Sequence, residues 1–405
     1  MHLLPVTSRR DNGRIRVLEV IGNANVGGME NYISNFLANL PEDQFQVTCI
    51  CPYESPFTNT LRKLGVDEVY VTPIEDDPLW RSIQLAVEVM RLHQIDIVHA
   101  HMPKAHVLAG LAGCLEYKPV VATIHGMHIT AHEFGVSRSV NSHLITNCQE
   151  AYSQALAMGV PANRLSIVRN SVDISVFTPE QSGDKLRNEI NLPHGTSLVG
   201  FVGRLEHEKG PDMFLRAAEY VHNLRPDVHF VLVGEGTMRK ELGKMALRFG
   251  LNKHVHFVEW CANTNYIYPA LDLLAHTSRS DGTSLVLLEA MSCGCPTVAL
   301  AVGGVREIME NRSTGLLTGP GDWEGIGTRI IELLEHPERL KTMGIAARAR
   351  VEKHFNVKTN TLKTADILRS ITFAGLNSRQ FTANGTLARK KTGKVSLGNS
   401  EGEAG

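Results

Sequence analysis

Charge imbalance is the first thing this 405-residue chain lacks. Its formal net charge is -1, which argues against a nucleic-acid binder and gives no broad attraction to an anionic membrane surface. No apolar run reaches membrane-spanning length, and the opening MHLLPVTSRRDNG lacks the apolar core and cleavage site of a secretion signal. A cytoplasmic location is therefore expected, with room for loose peripheral contact with the inner membrane face. The seven cysteines are odd in number and contain no C-x-x-C spacing; Cys49/Cys51 and Cys293/Cys295 are C-x-C pairs. Reduced core thiols fit that pattern better than disulfides or zinc. There is no G-x-G-x-x-G fingerprint, so a nicotinamide cofactor is not indicated. His125, His128 and His132 have no H-E-x-x-H arrangement, and no bound metal is expected.

What is present is a repeated α/β pattern. A hydrophobic fraction of 43% over this length supports two or three domains. Ile15 to Gly22 reads as a buried strand, followed by the turn NANVGGMEN and a helix from about Met29 to Leu40. Gly27 and Gly28 in that turn permit close backbone approach to a ligand. Further strands are read at Gln46–Cys51, Glu68–Val71, Ile95–Ala100, Val120–His125 and Leu144–Asn147. Strands alternating with helices imply a doubly wound parallel sheet whose ligand sits at the strands' carboxyl ends. His101 and His125 lie at such ends; His101 is read as a structural hydrogen-bonding group, and His125, beside Gly126, as a functional one.

Val168 to Phe177 leads out of this unit, and the pattern restarts at Ser197. Arg204 and Lys209 flank the loop after the new strand, as a diphosphate clamp requires. Strands follow at Val228–Gly234, His254–Val258 and Asp272–His276, leading into SRSDGTSLVLLEAMSCGCPTVA. Here a loop delivers Asp281 and Gly282 to a helix start, where the free amides around Ser284 and Leu285 favour an anion. Glu289 sits in the middle of the apolar helix and should be out of water. Two readings stay open for it: an ion pair with an arginine or lysine, or an acceptor for a ligand diol such as a ribose.

Taken in order, VGGMEN, TIHG, RNSVDISVF, GRLEHEKG, LVGEG, LLEAMSCGCPTVA and GGVREIM are similar to the motifs of GT-B glycosyltransferases of the retaining family 4 type, glycosyl transferases group 1. The likeness covers about residues 15–372. It implies an α/β GT-B fold: two facing Rossmann-like domains with doubly wound parallel sheets, and a C-terminal helix crossing back to the first. The expected division is 1–14 as an N-terminal extension, 15–170 as the acceptor domain and 171–355 as the donor domain. Residues 356–372 are expected to return to the first domain, and 373–405 to form a disordered tail. The resemblance also implies transfer of a sugar from a nucleotide sugar, with a uridine diphosphate base the commonest case, to a glycan or lipid-linked saccharide in surface-glycan synthesis. Configuration would be retained and no metal or other cofactor used. By motif position Arg204, Lys209, Ser284 and Leu285 would hold the diphosphate, and Glu289 the ribose. Asp281 would contact the sugar, His125 would lie near the reacting carbon, and Gly27 and Gly28 would admit the donor phosphate. Asp281 stands where the family usually has glutamate, and the shorter acid reaches less far. A nucleotide-sugar epimerase of the same fold and a degenerate binding subunit are the competing readings; only a transferase releases nucleoside diphosphate on addition of an acceptor.

Overall fold

In a computed structural model of the protein, every strand pairing among the described residues is parallel. The structure describes residues 13–25, 27–260 and 263–391, and for 375–391 the backbone alone. Residues 1–12 of the expected N-terminal extension, Val26 of the glycine turn and 392–405 of the tail lie outside the described residues.

The first sheet contains β1 (Ile15–Ile21), β2 (Phe45–Cys51), β3 (Glu68–Val71), β4 (Ile97–His101), β5 (Val120–Ile124), β6 (His143–Thr146) and β7 (Leu165–Ile167), in the order β3-β2-β1-β4-β5-β6-β7. The second contains β8 (Leu198–Val202), β9 (His229–Val233), β10 (Val255–Val258), β11 (Leu273–His276), β12 (Thr297–Leu300) and β13 (Leu316–Thr318), in the order β10-β9-β8-β11-β12-β13. The central strands are apolar runs because helices cover both sheet faces, so inward and outward side chains are buried alike. In each sheet the strand order reverses at one point, between β1 and β4 and between β8 and β11. The crossover helices leave in opposite directions there, opening a crevice beyond the strand ends.

Two short edge strands, β7 and β13, had no clear sequence signal. Three residues each are too few to show a period. The last helix, Val357–Lys391, runs past 372, where loss of regular structure was expected. Its Ala365 and Leu368 join the first sheet's core beside Ile33, Phe36 and Leu37, so the helix does cross back. The two chain crossings are joined side by side. Val172 N–H donates to Phe355 O at 2.9 Å, and Val357 N–H to Val172 O at 3.1 Å.

Candidate active site

The loops at the carboxyl ends of the second sheet are held together by close backbone packing. Gly210, between the Lys209 loop and the helix Pro211–Leu224, has φ +68°, and a Cβ there would lie 2.0 Å from Thr277 O. Only glycine fits both demands. Arg279 reinforces the contact, donating to His207 O at 2.6 Å and pairing with Asp212 at 2.6 Å. This brings the loops after β8 and β11, the two strands of the second switch point, into one surface.

On that surface Lys209 Nζ lies 3.1 Å from Asp281 Oδ2, and His276 Nε2 is 3.2 Å from the same oxygen. Burial alone would raise the Asp281 pKa, but the His276 hydrogen bond and the Lys209 charge outweigh it and hold the carboxyl down at about 2. Ser284 Oγ approaches His276 Nε2 at 3.3 Å and immediately precedes the helix Leu285–Ser292, whose first amides lack intrahelical partners. Arg204 is not drawn into this cluster. Its side chain is 66% exposed, and its partner is Glu208 at 3.5 Å. Glu208 also lies 3.9 Å from Lys209, so one carboxylate stands beside both cations of the expected clamp.

Glu289 is buried, as its neighbours require, at 7% exposure. No arginine or lysine pairs with it among the described contacts. The Tyr268 hydroxyl donates to its carboxylate, and Thr264 adds a second hydrogen bond. Burial outweighs both and raises its pKa to about 7.

The first sheet meets this surface through its strand ends. Asn147, just after β6, donates from Nδ2 to His125 O at 2.7 Å, and its own carbonyl accepts from the Thr283 hydroxyl. Asn170 Nδ2 donates to Thr283 O at 2.7 Å. A Cβ on Gly282 would sit 2.9 Å from Asn147 Nδ2, so glycine permits this approach between the sheets. Across the crevice, a Cβ on Gly28 would lie 3.7 Å from Leu285 Cδ1, which sets the two helix starts opposite one another. Gly27 is extended, at φ -168°, and needs no special conformation. His125 is partly buried, 3.0 Å through Nε2 from His101 Nδ1 and edge-on to Tyr32 at 5.0 Å. Burial, with His101 and His99 beside it, pushes its pKa well below the usual imidazole range. His128 and His132 are exposed, and His132 lies 4.0 Å from Asp76.

The structure thus assembles Lys209, Asp281, Ser284, Leu285 and Gly28 at one crevice, with His125 linked to it through Asn147. Glu289 is on the same helix, and Arg204 is at the rim. Sequence reasoning missed His276 and Asn147, both at strand ends, and Glu19, a carboxylate inside the apolar strand IRVLEVI. The last carried the same signal that singled out Glu289.

Comparison with known proteins agrees with this geometry. Residues 26–176 match the family described as Glycosyltransferase Family 4, and 182–350 match Glycosyl transferases group 1. The chain is 30% identical over 309 residues to D-inositol 3-phosphate glycosyltransferase 2 of Catenulispora acidiphila, covering 67% of this chain and 70% of that one. It is 25% identical over 351 residues to an Escherichia coli enzyme, UDP-Gal:alpha-D-GlcNAc-diphosphoundecaprenol alpha-1,3-galactosyltransferase, covering 81% and 90% of the two chains. Anabaena Alr3699/HepE in complex with UDP-glucose superposes with a TM-score of 0.78 at 25% identity, over 88% of this chain and 100% of that one. With two facing parallel sheets, a returning C-terminal helix and these relatives, the chain belongs to the glycosyl transferases group 1, the family 4 glycosyltransferases of GT-B fold.

Proposed function

We propose that the protein transfers a sugar from a nucleoside-diphosphate sugar, with uridine as the base, to a glycan or lipid-linked saccharide, and that the sugar's anomeric configuration is retained. The observation that carries this reading is the grouping of Lys209, Asp281 and the start of the helix Leu285–Ser292 on one surface, with buried Glu289 on that helix. A cation and a helix start stabilise a departing diphosphate, and a carboxylate in an apolar pocket accepts from a ribose diol. Relatives support the donor and acceptor classes: one solved structure holds UDP-glucose, and one enzyme is named for a diphosphoundecaprenol acceptor.

In the reaction the bond between the sugar C1 and the diphosphate oxygen breaks, and its electron pair leaves with the diphosphate. The acceptor hydroxyl oxygen bonds to C1 on the same face, and its proton passes to the departing phosphate. Lys209 and the helix amides stabilise the charge that develops there, a role that requires no metal. Arg204, at the rim, folds inward onto the diphosphate when the donor binds. Among the described residues no helix is long and apolar enough to cross a membrane, so a lipid-linked acceptor would be met at a membrane surface, which we place on the cytoplasmic side.

The test is a panel of nucleotide sugars and nucleoside diphosphates read by thermal shift, since a specific ligand stabilises by mass action. Each stabilising donor is then assayed for nucleoside diphosphate release with and without a saccharide acceptor. Acceptor-dependent release, with a product of unchanged anomeric coupling by NMR, is the expected result. Release without an acceptor would favour hydrolysis or epimerisation, and an inverted product would refute retention.

A further inference from the structure

We propose that Glu19 and His101 are positioning residues for His125: a hydrogen-bond chain from a buried carboxylate through one imidazole sets the tautomer of the second and leaves its Nδ1 free to accept from a substrate hydroxyl. The inference rests on the glycosyltransferase reading above and gives His125 a defined part in it.

Glu19 lies on β1, beside the first switch point, and is 0% exposed. Each of its oxygens meets one imidazole on β4: Oε1 is 3.0 Å from His99 Nδ1, and Oε2 is 2.8 Å from His101 Nε2. A carboxylate can only accept, so both of those nitrogens carry hydrogen. The second nitrogen of His101 faces His125 Nε2 at 3.0 Å. A neutral His101 with hydrogen on Nε2 has its lone pair on Nδ1, so His125 must donate from Nε2. The lone pair of a neutral His125 is then on Nδ1. Were His101 a cation it would donate at both ends, and the His125 tautomer would be the opposite one. Burial and the neighbouring His99 lower the His101 pKa, against the pull of Glu19, and keep it neutral.

The groups packed around the carboxylate supply no other charge. Cys49 on β2 faces it with its thiol pushed up, first by burial and then by Cys51 and Glu19. Thr123 on β5 bonds His99 Nε2 at 2.8 Å. Tyr32, from the helix Gly28–Asn39, hydrogen-bonds Thr364 and Thr123, and packs edge-on against His125. Among the described residues the ion-pair partners of Glu19 are the two imidazoles alone. A carboxylate buried this fully is costly in a sheet that could be filled with aliphatic side chains. Its hydrogen-bond chain ends on His125, a partly buried residue at the end of β5 whose carbonyl is bonded to Asn147 beside the crevice, which gives the arrangement a use. Glu19, His99 and His101 also place donor atoms within 4.8 Å of one another, yet hydrogen bonds already account for both carboxylate contacts.

The experiment uses the full chain labelled with 15N-histidine. Two-bond proton–nitrogen spectra are recorded from pH 5.5 to 8, with His125 assigned from a His125→Asn variant. In the wild type, His125 should carry hydrogen on Nε2 and none on Nδ1 throughout. In His101→Phe that preference should be lost. Turnover should fall by up to about 100- to 10,000-fold, the range a positioned acid or base contributes, with donor KM within threefold. The acid limb of the rate profile should move toward neutrality, because a ring that opposes protonation of His125 is gone. A structural role alone would move neither the tautomer nor that limb.

A wild-type His125 found as the Nδ1–H form, or as a cation at neutral pH, overturns the proposal, and this readout survives even if His101→Phe does not fold. So does a folded His101→Phe with the tautomer and acid limb unchanged, or one equivalent of metal in the purified protein. The spectra need no turnover. Failure to find a donor would therefore remove the functional reading without deciding the hydrogen-bond chain.

Discussion

Each sheet of this protein buries a glutamate beside its switch point, and burial has opposite outcomes in the two places. Glu19 is flanked by two imidazoles; burial would raise its pKa, but His99 and His101 together bring it down to about 2. Among the described residues Glu289 has the Tyr268 and Thr264 hydroxyls as partners, and burial carries it up to about 7. The difference is in the partners. Each Glu19 oxygen faces an imidazole N–H, and the electrostatic attraction of His99 adds to those two hydrogen bonds; the hydroxyls beside Glu289 offer hydrogen bonds alone. Glu19 is thus complete as it stands. In the reading proposed above, Glu289 is completed by a ribose diol that supplies two O–H donors.

The sharpest way to break this contrast is on the donor side. Lys209→Ala removes the cation that, together with His276, holds the Asp281 carboxyl down and, in our reading, the charge that receives the leaving diphosphate. Turnover should fall about 1,000-fold, the scale of a lost transition-state contact, with little change in folding. A parallel Arg204→Ala, at the exposed rim, should cost less. Near-normal turnover in both would sink the assignment of this surface.

Stability separates the two glutamates next. From pH 4.5 to about 7 the unfolded chain has Glu289 deprotonated while the folded chain keeps the proton, so stability falls across that window and the penalty is complete above it. Its size is roughly 3 kcal/mol, at about 1.4 kcal/mol per unit. Glu289→Gln should therefore be more stable than wild type at pH 8, with the gain vanishing toward pH 4.5. Glu19 behaves inversely. Its folded pKa is depressed, so its contribution is present above 4.5 and is lost as pH falls through about 2. Glu19→Gln should lose roughly 3 kcal/mol at neutral pH. Denaturant unfolding of the three proteins at pH 5, 6.5 and 8 should show a Glu289→Gln gain that grows with pH beside a Glu19→Gln loss that stays constant.

Donor binding gives a smaller version of the same test. A diol donates to the ionised form of Glu289, so below pH 7 the site must first lose a proton. Donor KM should rise by up to about tenfold per pH unit on acidification. In Glu289→Gln the KM at pH 8 should be about 10- to 100-fold higher, the cost of a lost charged acceptor, and nearly independent of pH. A wild-type KM flat from pH 5.5 to 8 would contradict the raised pKa.

How far the sequence carried this picture follows from the same chemistry. The fold was legible because buried parallel strands write themselves as apolar runs ended by glycine turns. The strand Glu68–Val71 was read to the residue, and Gln46–Cys51 began one residue late. Glu289 stood out because it breaks an apolar helix, and Lys209 and Asp281 because each sits in a loop between a strand end and a helix start. What stayed hidden were relations across the chain. Nothing within SRSDGTS says that Asp281 is held by Lys209, or that Thr283 reaches Asn147 in the other sheet. His101 was read as structural, and it does make buried hydrogen bonds. Only the geometry shows that they lead from Glu19 to His125.

A third carboxylate gives the smallest expected effect. Glu307 joins the two sheets at their seam. Its Oε1 accepts from Gln149 N–H at 2.7 Å, while Oε2 pairs with Arg169 at 2.6 Å. Unlike Glu19 and Glu289 it keeps part of its surface in water, and Arg169 is more exposed still, so solvent screens the pair to about 1 kcal/mol or less. Glu307→Ala should leave donor KM unchanged and lower turnover by about twofold to fivefold, through looser closure of the crevice. Amide exchange around residues 147–149 and 282–284 should quicken by a similar factor, because the Thr283–Asn147 contact would open more often. A fall as large as that of Lys209→Ala would mean that Glu307 acts on the donor itself, and the division between seam and pocket would have to be redrawn.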